Sequence, residues 1–311
     1  MATQLKAMKL KFLKPTLVIL SVAVLAAMLW QHSRYSEIRR DYVQDYQSAL
    51  HGKSLHVLTF LTAPNNQELV DSLRRLSSAA EQEGTGTLIY AGKVVRNHRE
   101  STQVTEALGR NVEWDAIILQ QFDGLDAYSR YLQDDEVRAA LSVFPDEFAH
   151  GMSRSATQSL LLPQFLLFRK LQRLLTFTPA IVPFEAVSRA EDAEGPDISS
   201  SLFSGSDGLG KEAIVVVNLM LEGDVAQSAA NAGYSDQMLS LFAEQTHGPI
   251  HLGASVPIDH PLEYTSIALV YYPGTEYFQD LVTSTFFQGI IGDKQLADTM
   301  VSITVPITNQ L

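Results

Sequence analysis

From residue 54 onward the chain alternates short apolar runs with amphipathic stretches, and it does so twice in the same order. Leu55–Leu61 (LHVLTFL) reads as a strand. Gln67–Gln82 then sets Leu69, Leu73, Leu76 and Ala80 on one face at helical spacing, with Asn65 or Asn66 placed to cap it. Gly84-Thr85-Gly86 breaks this helix, and Leu88–Val95 (LIYAGKVV) predicts a second strand. After a polar loop Trp114–Gln121 (WDAIILQQ) predicts a third, and a helical stretch from Leu125 towards Phe148 and a last strand near Ala156–Leu162 complete the unit. The second unit starts with Ala213–Leu221 (AIVVVNLML, strand), Tyr234–Gln245 (helix) and Ile250–Ile258 (strand). Tyr264–Tyr271 (strand), a helix from Glu276 towards Phe287 and a final strand at Val301–Thr308 finish it.

The repetition reaches single residues. Phe122-Asp123-Gly124 matches Tyr272-Pro273-Gly274 at an offset of 150, Ala91-Gly92 matches Leu252-Gly253, and Leu162-Pro163 matches Val305-Pro306. Two copies of β-α-β-β-α-β in about 100 residues each form a duplicated ferredoxin-like pattern, which makes the chain an α+β protein. One such unit leaves an apolar sheet face bare. Residues 53–162 and 212–311 are therefore expected to close a single α/β barrel within one monomeric chain.

Ahead of the repeats the pattern changes. Lys6, Lys9, Lys11 and Lys14 precede an apolar run from Leu17 to Trp30 in which Ser21 is the only polar residue. The run is short of the ~20 residues of a membrane span. Phe12 and Leu13 extend it if Lys14 snorkels, Trp30 suits an interface, and Val24-Leu25-Ala26 is a poor cleavage pattern. The reading is a basic cytoplasmic segment at 1–14, a transmembrane helix at 15–33 and a helical stalk at 34–52 carrying Tyr35, Tyr42 and Tyr46. A cleaved signal sequence and a buried soluble helix are the alternatives for 15–33. The lysines place the N-terminus inside and the bulk of the chain on the periplasmic side of an inner membrane, although Arg34, Arg39 and Arg40 beyond the run weaken that bias.

Composition narrows the classes. Of 311 residues 46% are apolar and 19% charged, which allows a real core and excludes a disordered chain. The absence of cysteine excludes disulfides, thiolate metal sites and a cysteine nucleophile. The net charge of −12 divides unevenly: residues 1–50 hold seven Lys/Arg against three Asp/Glu, and residues 51–311 hold 16 against 32. Such a surface repels nucleic acid. Residues 212–311 contain eleven acids and one base, Lys294. Between the repeats, Gln164–Leu175 (QFLLFRKLQRLL) puts Leu167, Phe168, Leu171, Leu174 and Leu175 on one helical face and Arg169, Lys170 and Arg173 on the other. This helix can lie on a membrane or, as its tether favours, dock on the acidic second unit. Residues 188–211 are a Ser/Gly/Asp-rich linker.

The stretch from Trp114-Asp115-Ala116 through Phe122-Asp123-Gly124 to Ala139-Ala140-Leu141 resembles the dimeric α/β-barrel superfamily. More narrowly it resembles a bacterial family of unknown function within it. The features are Tyr90-Ala91-Gly92-Lys93 in strand two, the Trp-Asp strand three, and Arg154-Ser155-Ala156 entering strand four. Repeat one departs at Asp123, where proline is usual, and repeat two has no basic residue after Gly253. The resemblance covers about two-thirds of the chain. It implies the fold but no single chemistry, since the superfamily is similar across monooxygenases, isomerases, haem enzymes and pure binders.

Strand alternation selects the candidate site. In the second strand of unit two, Ile250, Leu252, Ala254 and Val256 form the apolar set, so His251, Gly253 and Ser255 point to the barrel side. Tyr90, Gly92 and Val94 match them in unit one. The first strands offer Asn218, which interrupts an apolar run, and His56 with Phe60 at matching parity. Tyr90, His251, Asn218 and His56 are thus the candidate polar groups of a mostly apolar barrel pocket. The bland alternative is that they are core groups satisfied by backbone or by one another. His247, His251 and His260 with Asp259 and Glu263 invite a metal, but Gly248-Pro249 prevents helical ligation and no metal site is expected. No nucleotide-binding or hydrolase fingerprint is complete, and no cofactor is expected. The expected function is a membrane-anchored extracytoplasmic module binding a small apolar or amphipathic ligand, or an envelope partner. The alternative is a cofactor-independent monooxygenase or isomerase with His251 or Tyr90 as acid or base.

Overall fold

The structure, a computed structural model, describes residues 18–33, 55–82, 86–153, 156–178, 213–245, 248–272, 274–308 and 311. A first helix, α1, covers residues 18–33. Repeat one follows as β1 (Leu55–Leu61), α2 (Asn66–Gln82), β2 (Gly86–Arg99), α3 (Thr102–Leu108), β3 (Ala116–Phe122), α4 (Leu125–Gln133), α5 (Asp135–Leu141) and β4 (Glu147–Ser153). Helix α6 (Ala156–Leu175) leads towards repeat two. That repeat contains β5 (Ile214–Leu221), α7 (Val225–Gln245), β6 (Gly248–Val256), β7 (Ser266–Tyr272), α8 (Thr275–Thr283), α9 (Thr285–Ile290), a 3-10 turn (Ile291–Asp293) and β8 (Asp298–Pro306).

Hydrogen bonding joins the eight strands in the order β1-β3-β2-β8-β5-β7-β6-β4 as one closed barrel, with every neighbouring pair antiparallel. Each repeat contributes the ferredoxin-like order 4-1-3-2, and β2–β8 and β4–β6 are the two seams. The barrel is thus closed within one chain. All of β1 is buried because its two faces serve two cores. Leu58 and Phe60 point into the barrel with Ile117, Leu119, Val215, Val217 and Leu269. Leu55, Val57 and Leu61 lie under α2, α4 and α5.

The duplication is tighter than the sequence reading. Helices α4 and α8 start at Leu125 and Thr275, and the caps of α5 and α9 are Asp134 and Ser284, each pair 150 apart. These caps accept from the backbone N–H of Val137 and of Phe287, so each long predicted helix is two short ones with a corner between them. Asn65 is the cap of α2, accepting from Glu68 N at 2.9 Å.

Two expectations need correction. The last strand of repeat one is Glu147–Ser153, and residues 156–162 begin α6 instead. Pro163, matched above to Pro306, sits inside that helix, and Arg154-Ser155-Ala156 follows strand four instead of entering it. The loop before β3 also contains α3, capped by Ser101. The Ser101 hydroxyl donates to Asp298 at the start of β8 (2.6 Å), and the N–H groups of Thr102 and Gln103 donate to the same carboxylate. Burial alone would raise the Asp298 pKa, but these bonds and that from Thr299 N hold it below the ordinary value.

Helix α6 docks on repeat two. Leu166 is buried with Leu241 and Phe242, Arg169 pairs with Asp236, and Arg173 meets Glu244 at 3.2 Å. Its polar side therefore faces the protein, and Leu161, Phe168, Leu171, Leu174 and Leu175 face outward. Helix α1 touches it through Gln164 Nε2, which donates to Met28 O at 3.4 Å. At 1.5 Å per residue the described part of α1 is about 24 Å long, against the ~30 Å of a bilayer core. Among the described residues no helix is long and apolar enough to cross a membrane. The start of the expected 15–33 span, the basic segment, the stalk and the 188–211 linker lie outside the described residues.

The seams differ in strength. The β2–β8 seam runs from Gly92↔Pro306 to Arg99↔Val301, whereas β4–β6 has only Gly151↔Val256, Met152↔Ser255 and Ser153↔Ala254. Each carries a polar side-chain pair. Thr304 Oγ1 donates to Val215 O at 2.7 Å, so the Tyr90 phenol donates to Thr304 Oγ1 at 2.6 Å. At the short seam His150 Nε2 meets Ser255 Oγ at 2.6 Å.

Burial lowers the His150 pKa from 6.5 to about 4, so the folded chain binds fewer protons than the unfolded chain between those values. Stability should fall as pH drops from 6.5 towards 4, by about 3 kcal/mol from this residue. Glu147 and Asp259 nearby are raised, chiefly by burial, and act in the opposite sense. Comparing wild type with His150→Gln by thermal melts from pH 7 to 4 isolates the histidine. The variant should lose less stability on acidification, and parallel curves would refute this.

Candidate functional site

The strands place three of the four candidate residues inside the barrel and one outside it. His56 and His251 come together, with ring centroids 5.7 Å apart, and both are almost fully buried. Tyr90 lies in the same interior, its phenol held neutral by burial and bonded to Thr304. The space around them is taken by side chains. Phe60, Trp114 and Phe148 pack as tilted rings at centroid distances of 5.7–6.4 Å. A Cβ on Gly92 would strike the Tyr90 phenol, and one on Gly253 would strike Met152. The matched glycines of the two repeats thus give up their own side-chain space to neighbours. Tyr90 fits the core-group reading.

Asn218 stands elsewhere. Ile214 pairs with Tyr272 and Leu55 with Phe122, so Asn218 corresponds in register to Thr59, not to His56 or Phe60. Its parity is that of Val216 and Met220, which face the helices of repeat two. There, between the outer face of β5–β8 and helices α7, α8 and α9, lies a partly enclosed cavity of about 390 Å³. Its floor is Val216, Ala268, Val270, Val301 and Ile303, and its walls include Met238, Phe242, Phe278 and Phe287.

The cavity has a sequence cause. In repeat one the equivalent layer is filled from α2 by Leu69, Leu73 and Leu76 and from α4 by Tyr128 and Tyr131. In repeat two the first half of α7 reads Ala226-Gln-Ser-Ala-Ala-Asn-Ala-Gly233, which has no large apolar side chain to drop onto the sheet. One copy is solid and the other hollow.

Its polar equipment is sparse. Asn218 Nδ2 donates to the carbonyls of Val216 (3.3 Å) and Ala268 (3.4 Å), which turns Oδ1 towards the cavity. Lys294, after the 3-10 turn, reaches in and donates from Nζ to that oxygen at 3.0 Å, and it passes 5.9 Å from the centre of the Tyr234 ring. None of the cavity's lining residues is an Asp or Glu, and none of the ion pairs among the described residues includes Lys294. Burial, with a contribution from Arg99, lowers the Lys294 pKa from 10.5 to about 8. No histidine or cysteine lines the cavity, and burial keeps Tyr234 and Tyr272 as neutral phenols. Among the described residues no cluster of three or more His, Asp or Glu could hold a metal ion. His260 stacks on Phe148 instead, and His247 lies outside the described residues.

Lys294 is the residue that periodicity missed. It sits in a turn, where neither helical nor strand spacing assigns a direction. The available signal was its isolation as the one base among eleven acids.

No family model matches the chain, and no curated protein matches it in sequence. Solved structures share its outline. A mutant chlorite dismutase from Candidatus Nitrospira defluvii is 12% identical over 85% of this chain and 96% of that one, with a TM-score of 0.45. An anthrone oxidase-like protein is 9% identical over 83% and 93%, with a TM-score of 0.43. A Lactobacillus acidophilus protein provisionally named a monooxygenase is 10% identical over 82% and 94%, with a TM-score of 0.41. The fold assignment rests on the strand order itself.

A lysine held below its ordinary pKa costs stability wherever the unfolded chain keeps it charged. The cost is full below pH 8 and fades as pH rises through 10.5. Lys294→Met should therefore stabilise the protein at pH 7 by about 1–3 kcal/mol, with the gain shrinking towards pH 10. Denaturant titration at pH 7 and 10 measures this. A destabilised variant at pH 7 would mean that the ammonium already has a full partner.

Proposed function

We propose that the chain is a membrane-tethered module that holds a small, mostly apolar molecule between the sheet and the helices of its second repeat. The hollow layer there carries the reading. A cavity of about 390 Å³ is within the ~300–1,000 Å³ of small-molecule sites. Leaving such a space empty forfeits packing that repeat one obtains from ordinary leucines. The polar groups at Asn218 and Lys294 suit the orientation of a bound molecule, and the apolar walls suit its retention.

The tether rests on exposed apolar surface. On α1, Val18, Ile19, Leu20, Val22 and Leu29 are exposed, and the outward side of α6 is apolar and exposed as well. Patches of this kind mark a lipid or protein contact. A bilayer is the better match for α1, and an envelope partner on α6 is the other occupant. The basic residues before α1 favour a cytoplasmic N-terminus and an extracytoplasmic barrel. The narrower resemblance to a bacterial family of unknown function adds no chemistry to this reading. Oxygenation or isomerisation without a cofactor is the second reading. It is favoured by one observation, an amine, Lys294 Nζ, standing inside an apolar cavity, where burial lowers its pKa towards the range of a serviceable base.

Two experiments test these readings. Native mass spectrometry of the full chain, purified gently from its own host, should show a retained small molecule. Ala268→Phe, which grows a ring from the cavity floor, should lose that molecule without a lower melting temperature. An empty wild type, or retention by the filled variant, would overturn the cavity reading. For topology, a reporter active only in the cytoplasm and fused after Leu311 should be silent, and activity would reverse the orientation.

A further inference from the structure

We infer that the molecule held in the cavity ends in a single negative charge, a carboxylate, seated on Lys294 beside Asn218. The inference rests on the cavity reading above and names the chemistry of its polar end. Lys294 brings an ammonium into a space walled by Met238, Phe242, Phe278 and Phe287, with no carboxylate among the lining residues. Its hydrogen-bond partner, Asn218 Oδ1 at 3.0 Å, is neutral. A half-buried ammonium in an apolar cavity with only a neutral partner is a costly arrangement unless an anion completes it. The Asn218 amide is fixed by two backbone carbonyls and already uses its own hydrogens, so it holds Lys294 in place without neutralising it. An aspartate at 218 would have closed the charge internally, and asparagine leaves it open. Lys294 is the one cation in the lining, and Arg99, whose charge is felt at its ammonium, stands outside that lining, which suits a monoanion. A phosphate dianion needs a second positive group or a fan of donors.

The test uses the full chain in phosphatidylcholine nanodiscs, with empty nanodiscs as reference, titrated calorimetrically at pH 7 with octanoate, octanol and octylamine. The wild type should bind octanoate at least ten-fold more tightly than octanol and should reject octylamine. Lys294→Met should abolish the preference while octanol still binds, and Asn218→Asp should do the same by supplying an internal anion. Equal affinity for octanoate and octanol in the wild type, or a preference that survives in Lys294→Met, overturns the carboxylate inference and leaves the cavity reading standing. If neither octanoate nor octanol binds, the cavity reading itself fails, and the inference with it.

Discussion

A sheet that has edges must hide them, and in this chain closure hides all of them. Each ferredoxin-like unit ends in two open strands, β2 and β4 in the first repeat and β6 and β8 in the second. Pairing β2 with β8 and β4 with β6 consumes all four. The same closure covers the bare sheet faces, since the interior-facing sides of both units become one core. Everything else hangs on this. The helices can be spent on the outside because the inside is already filled by side chains of both repeats, and α3 can be pinned to β8 through Ser101 and Asp298 because β2 brings it there.

Once the barrel is closed, the two outer layers are free to diverge. Repeat one uses leucines and tyrosines to fill its layer. Repeat two keeps the same corners, with Ser284 standing where Asp134 stands, but it gives α7 a start made of alanine, serine, asparagine and glycine. Divergence after duplication thus falls where the barrel does not need the side chains. The candidate site lies in the repeat that can tolerate a gap, and its rigid floor is the sheet that closure holds in place.

Much of the fold was legible because strand and helix periods are local properties. Leu55–Leu61 was found to the residue, and the 150-residue offset at Gly124 and Gly274 was read directly. The fourth strand was lost because Glu147–Ser153 contains Gly151 and follows a short helix, while the helix after it carries a proline that mimicked Pro306. The site was half legible. Alternation assigned His251 and Tyr90 to the barrel side, but whether that side is hollow depends on how side chains from both repeats interdigitate. Asn218 stood out as a polar break in an apolar strand, but parity put it on the wrong face. Parity counted from residue numbers does not survive the change in spacing between repeats, and only the pairing of Ile214 with Tyr272 fixes it.

The unequal filling of the two outer layers makes the halves mechanically unlike. A close-packed layer resists compression, whereas the helices over a partly enclosed gap have fewer contacts beneath them to oppose it. The second repeat is therefore the compressible half of a barrel whose first half is stiff. A molecule entering the gap would act as ballast, stiffening the soft half to match the other and leaving the shared wall of strands in its original shape.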